Sequence, residues 1–212
     1  MEPVFKNIRH IILDFGGVII NIDYKRTEQA FIDLGITDFA ERYSQLKQTD
    51  IFDQLETGKI DKLAFVNAIK EMAGKEISDF QIIDAWNAML LDIPLRRLQI
   101  LQQLQVHFDT VLLSNTNEIH EEEFNKILKA QCGFNSMGAF FDKIYFSHKV
   151  GLRKPDAAIF QLILDETGFD PSKTLFVDDS PQHIEGAKAL GIQTIFLEKG
   201  MTIEEHIFLP KN

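Results

Sequence analysis

Three apolar runs in this chain break off at polar side chains, and that pattern constrains its fold more than any other feature. Ile11, Ile12 and Leu13 lead to Asp14. Val111, Leu112 and Leu113 lead to Ser114 and Asn115, and Leu175, Phe176 and Val177 lead to Asp178 and Asp179. Runs this short, with helical stretches between them, read as buried strands of a mainly parallel sheet covered on both faces. Ligands of such sheets bind beyond the carboxyl ends of the strands, near a switch in strand order. All the polar endings fall at that edge, so the sheet itself would gather them.

The residue types at that edge suit one kind of chemistry. A carboxylate such as Asp14 is costly to bury unless it is paired, metal-bound or used. Gly16 and Gly17 follow it, which lets the backbone turn sharply and approach a ligand closely. Asp178 and Asp179 repel each other and call for a cation. Mg²⁺ needs only a few oxygen ligands besides its waters. The plain alternative is that Asp179 or Ser180 merely N-caps a helix starting at Pro181. Ser114, with backbone N–H groups ahead of a helix, suits phosphate oxygens. Lys154 stands in GLRKPD (151–156), a stiff setting that brings a compact positive charge to the same edge.

The alternation is interrupted once. After a first strand over 8–14, residues 22–92 show only helical patterning, and spacing divides them into four helices. Asp23 and Asp61 are placed to N-cap, with Gly35 and Gly74 as stops. Asp38 with Glu41, and Ser78 with Gln81, have capping-box spacing. From Pro94 strands and helices alternate. A helix over 94–105 places Leu95, Leu98, Leu101 and Leu104 on one face, and Asn117 caps the next helix. The expected organisation is an α/β core of residues 1–21 and 93–212, Rossmann-like, with a helical cap of residues 22–92 inserted at the edge that carries the site.

Composition narrows the partners. A net charge of −10 argues against nucleic acid and anionic membranes. The N-terminus shows no signal-peptide pattern and no apolar run is long enough to span a bilayer. Cys132 is alone, which fits a reducing cytoplasm. His120, His148 and His183 lie near the motif loops without zinc spacing, and a solvated or structural role is the plainer reading of each.

DFGGVI, LSNTN, GLRKP and DDS together resemble the haloacid dehalogenase superfamily over essentially the whole chain, and within it the α-D-glucose-1-phosphate phosphatase group. The resemblance implies a Mg²⁺-dependent phosphatase acting through an aspartyl-phosphate. It makes Asp14 the nucleophile and gives phosphate binding to Ser114, Asn115 and Lys154. It makes Asp14, the Gly16 carbonyl and Asp179 direct metal ligands, with Asp178 acting largely through water. It also implies a helical cap over the site, a small phosphorylated metabolite as partner, and a monomer or weak homodimer.

One position departs from the family pattern. Most of its phosphatases carry a second Asp two residues after the nucleophile, as acid and then base. Here that residue is Gly16, and proton-transfer groups of this kind contribute about 10²–10⁴-fold. Three readings follow. The first is a phosphatase of esters with good leaving groups, such as anomeric sugar 1-phosphates. The second is a 2-haloacid dehalogenase-type hydrolase, disfavoured by the metal-type pair Asp178–Asp179. The third is a non-catalytic module that binds phospholigands or a protein.

Overall fold

A computed structural model describes residues 5–43 and 50–208. Its centre is a five-stranded, wholly parallel sheet of β1 (His10–Leu13), β2 (Asp109–Ser114), β3 (Lys143–Phe146), β4 (Thr174–Asp178) and β5 (Gln193–Phe196), in the order β3-β2-β1-β4-β5. Because side chains alternate along a strand, each face of the sheet feeds its own core. Ile11, Leu13, Leu112, Leu175 and Val177 pack with Leu98 and Leu101 of α6 (Leu95–Gln105) and with Phe124 and Leu128 of α7 (Glu118–Cys132). Ile12, Val111, Leu113 and Phe176 face the other way. They meet Ile159, Phe160 and Ile163 of α9 (Ala157–Thr167) and Ile184 and Ala187 of α10 (Pro181–Lys188). Burial on both faces is why these strands are continuous apolar runs.

Among the described residues of the insertion are α1 (Tyr24–Asp33), α2 (Phe39–Arg42), α3 (Asp50–Glu56), α4 (Lys62–Ala73) and α5 (Asp79–Asn87). They enclose a separate aromatic core in which Phe31, Phe52, Phe65 and Trp86 are fully buried. Asp23 and Asp61 cap α1 and α4 through their side chains, and Ser78 and Gln81 form the full capping box of α5. Two expectations fail here. The single helix expected after Asp38 is split into α2 and α3, and the stretch 44–49 between them lies outside the described residues. Asp38 makes no side-chain cap bond to α2, so no capping box forms with Glu41. A four-residue helix leaves little dipole for such a cap to answer.

The insertion starts and ends at one point. Asn21 N donates to the Asp92 carbonyl, Leu91 N to the Asn21 carbonyl, and Ile22 bridges Leu90 in antiparallel fashion. Arg97, 3% exposed, secures this stalk by donating to the Ile19 carbonyl and to Asn21 Oδ1 while pairing with Glu204. On the same helix Leu95 is 62% exposed, not a member of the Leu98–Leu101–Leu104 stripe, because as first residue of α6 it precedes the turn that meets the sheet. α8 (Ser147–Val150) follows β3 directly, and a short π-helical turn (Ile203–Ile207) ends the described chain. Among the described residues no helix is long and apolar enough to cross a membrane.

Candidate active site

The site begins with the burial of Asp14 one residue beyond β1. Its N–H donates to the Val177 carbonyl at 3.0 Å, so the central strand is still paired with β4 when the carboxylate emerges. A tight turn follows, in which Ile19 and Ile20 both donate to the Phe15 carbonyl and Gly17 donates to that of Ile20. Gly17 has φ +73°, and a Cβ there would lie 2.2 Å from Asp179 Oδ2. Only glycine lets that carboxylate settle onto the loop. Gly16 is closed off differently, since a Cβ would stand 2.7 Å from Ile22 Cδ1. The isoleucine side chain occupies the room that a longer side chain at position 16 would enter.

Lys154 brings the cluster together. Its side chain is fully buried, with Nζ 2.6 Å from Asp14 Oδ1 and 2.7 Å from Asp178 Oδ2. The ammonium also lies 5.5 Å from the centre of the Phe176 ring. Asn115 sets its position from the backbone, its Oδ1 accepting from Lys154 N at 2.9 Å and its Nδ2 donating to the Lys154 carbonyl at 2.8 Å. With one amide hydrogen so engaged, Asn115 has its backbone N–H and the second Nδ2 hydrogen left to offer a phosphate. Ser147 braces the next residue, donating to the Thr116 carbonyl and accepting from Thr116 N. Ser114 ends β2, is 3% exposed and lines the same cleft as Asp14, Gly16, Asn115 and Lys154.

Opposing charges tune one another here. Burial, then the neighbouring Asp178 carboxylate, push Asp14 up to about 7 against the pull of Lys154. Burial also works against the charge of Lys154, but Asp14 and Asp178 more than offset it and hold the ammonium above its ordinary range. Asp178 resists its own burial because Lys154 and His183 favour its charge, and it falls below the usual carboxylate range. Ser180 N and His183 Nδ1 both bond to the Asp178 carboxylate, at 2.7 and 3.0 Å. Ser180, the N-cap of α10, makes no side-chain cap bond.

Oxygens of Asp14, Asp178 and Asp179 lie within 4.8 Å of one another. Hard carboxylate donors this close suit a small divalent cation. Asp14 and Asp178 are nearly inaccessible to solvent, which exposed acidic groups gathered by chance are not.

The histidines take other parts. His120 is 6% exposed and stacks on Trp86, with Nε2 3.1 Å from the Trp86 carbonyl and Nδ1 3.2 Å from Asn117 Nδ2. Both nitrogens are spoken for if the ring is neutral, and burial lowers it to about 4. It joins α7 to α5 and also lines the cleft. His148 pairs with Glu121 at 3.0 Å. His183 alone reaches the acidic cluster. Sequence spacing did not single out the rest of the cleft wall, which includes Ile22, Tyr24, Tyr43, Glu56, Met89 and Arg153. The one available signal was Arg153, a second cation beside Lys154. The others come from the insertion, where helical spacing distinguishes buried from exposed faces but does not name the cleft.

The chain is similar to known proteins along most of its length. A family model described as haloacid dehalogenase-like hydrolase matches residues 8–191. The chain is 35% identical over 199 residues to a D-ribitol-5-phosphate phosphatase of Bacteroides thetaiotaomicron, the match covering 91% of this chain and 93% of that protein. A solved haloacid dehalogenase family enzyme from the same organism, an aspartate-to-alanine variant in complex with magnesium and inorganic phosphate, superposes with TM-score 0.88 at 35% identity. That likeness covers 94% of this chain and 97% of the other. A haloacid dehalogenase-like hydrolase structure from Porphyromonas gingivalis gives TM-score 0.84 at 29% identity, covering 95% of each chain.

Proposed function

Since this chain belongs to the haloacid dehalogenase-like hydrolases, we propose that it is a Mg²⁺-dependent phosphatase of a small sugar or polyol phosphate, working through an aspartyl-phosphate. The observation that carries this reading is the convergence of Asp14, Asp178, Asp179 and Lys154 at the ends of adjacent strands. The relative named for ribitol 5-phosphate, and the solved relative holding magnesium and inorganic phosphate, support it.

Asp14, the Gly16 carbonyl, Asp178 and Asp179 would hold the metal. When bound, Mg²⁺ neutralises charge on the carboxylates and on the phosphate, which lets them approach one another. A carboxylate oxygen of Asp14 attacks phosphorus in line, the bond to the ester oxygen breaks, and an acyl-phosphate forms. Lys154 offsets charge on the phosphoryl oxygens, aided by the Ser114 hydroxyl and the N–H groups that follow it. With no carboxyl group at position 16, the departing oxygen takes its proton from water. Water then attacks phosphorus, returning the Asp14 carboxylate and inorganic phosphate. Residues 22–92 serve as the cap that walls this chemistry off from bulk solvent, over a core of residues 1–21 and 93–212.

Substrate choice follows from Gly16. Without a general acid the enzyme favours an ester whose leaving oxygen is weakly basic, which points to anomeric sugar 1-phosphates. An alditol 5-phosphate, the substrate class in the name of the relative, is the direct competitor. Hydrolysis should be screened across both ester types with Mg²⁺ and with chelator, for the wild type and for Asp14→Asn. Metal-dependent release of phosphate, abolished by Asp14→Asn in a folded protein, is expected. Normal turnover by that variant would remove Asp14 as nucleophile.

A further inference from the structure

The cleft has a second charged pair besides its acidic cluster. Glu56, at the end of α3, is 5% exposed and lines the cleft together with Arg153, the residue next to Lys154. Arg153 Nη2 lies 2.9 Å from Glu56 Oε2, and Nη1 lies 2.8 Å from Asp53 Oδ1. The guanidinium is thus committed to two carboxylates of the insertion. Two phenols complete this wall. Tyr24, partly exposed, and Tyr43, buried, both line the cleft with Glu56. Each phenol has a hydroxyl to donate.

These groups differ from those that hold phosphate. A carboxylate accepts hydrogen bonds from hydroxyl groups and repels another carboxylate. An arginine free to pair would do the reverse, forming a bidentate contact with a substrate carboxylate. We infer that Glu56, with Arg153, Tyr24 and Tyr43, selects a neutral, hydroxyl-bearing leaving group and excludes carboxylate-bearing phosphates. The inference rests on the phosphatase reading and narrows its substrate class to neutral polyol and sugar phosphates. Glu56 has two effects, accepting hydroxyls itself and keeping Arg153 from serving an acid.

The test compares kcat/KM in Mg²⁺ for a pentitol 5-phosphate, 2-phosphoglycolate and p-nitrophenyl phosphate, in wild type and in Glu56→Gln. The wild type is expected to prefer the pentitol phosphate to phosphoglycolate. In Glu56→Gln that preference should fall by about tenfold or more, with KM rising for the polyol ester and dropping for the acid. Tyr43→Phe gives an independent reading in case Glu56→Gln does not fold. It should raise KM for the pentitol phosphate more than for p-nitrophenyl phosphate. An unmoved preference, a parallel loss on every substrate, or a wild type that favours phosphoglycolate overturns the inference alone. Failure of the wild type to hydrolyse any of the three, or an anomeric sugar 1-phosphate run beside them, overturns the phosphatase reading, and this inference with it.

Discussion

At position 16 the absence of a side chain is built into the surroundings. Gly16→Asp would bring its Cβ to 2.7 Å from Ile22 Cδ1, the far end of a side chain that must turn aside to admit it. The double variant Gly16→Asp/Ile22→Ala makes the room. It should gain activity on primary-alcohol phosphates over Ile22→Ala by about two orders of magnitude, the low end of the range of about 10²–10⁴-fold usual for such acids. No gain in steady-state rates would remove proton supply as the reason for the preference. His120 gives a pH signature instead. Its folded value of about 4 lies below the ordinary 6.5, so the unfolded chain binds the proton first. The contribution is complete above 6.5 and is lost as pH falls towards 4, by about 3 kcal/mol in all. Asp14, raised in the metal-free protein, has the opposite slope, losing stability as pH rises from 3.8 through about 7. The difference between wild type and His120→Gln in urea melts isolates the histidine. An identical pH dependence for the two proteins would mean that His120 binds its proton equally well folded and unfolded.

Between elements, a few buried polar bonds decide how the insertion holds the cleft. Thr27 of α1 is fully buried, donates to the Trp86 carbonyl at 3.1 Å and accepts from Met89 N at 3.0 Å. Trp86 carries the carbonyl that His120 meets, and Met89 lines the cleft. Thr27→Val keeps the shape but leaves Met89 N–H unpaired, while the Trp86 carbonyl keeps His120, at a cost of about 1–3 kcal/mol. Thr27→Ser keeps the hydroxyl and should lose less in thermal denaturation, and no loss in Thr27→Val would remove the hydroxyl as a stabilising group. Interactions of this sort are not legible in the sequence. The strands were, because burial on both faces makes them apolar throughout, and so were Asp23, Asp61 and Ser78, whose caps act within one turn. Leu95 misled because a leucine repeat does not show where a helix first meets its neighbour. The clamp of Asn115 on Lys154 and the approach of Glu56 to Arg153 span 39 and 97 residues, and no local pattern records them.

For the molecule as a whole, the acidic cluster sits where three inner strands end, so folding and metal affinity are linked. A ligand bound only by the folded state stabilises it by about 2.7 kcal/mol at a hundred times its Kd. Saturating Mg²⁺ should therefore raise the melting temperature of the wild type, and chelator should reverse the rise. Asp179→Asn should lose most of that shift, because Asp179 is one of the three carboxylates whose oxygens lie within 4.8 Å of one another. An undiminished shift in the variant would take Asp179 out of the ligand set. What the sequence displayed at this scale was the order of polar endings along the chain. The placing of β1 between β2 and β4, which makes those endings neighbours, follows from the sheet topology.

The stalk at Asn21 and Asp92 has a consequence for exchange of parts. Where the chain departs from the sheet it lies hydrogen-bonded to where it comes back, so the intervening helices hang from a single hinge-width of backbone. A foreign helical module with matching ends could be transplanted there, replacing the recognition wall and leaving the hydrolytic apparatus intact. A graft that still splits an aryl phosphate in Mg²⁺, but with altered taste for the alcohol, would show that reaction and selection are separable cassettes.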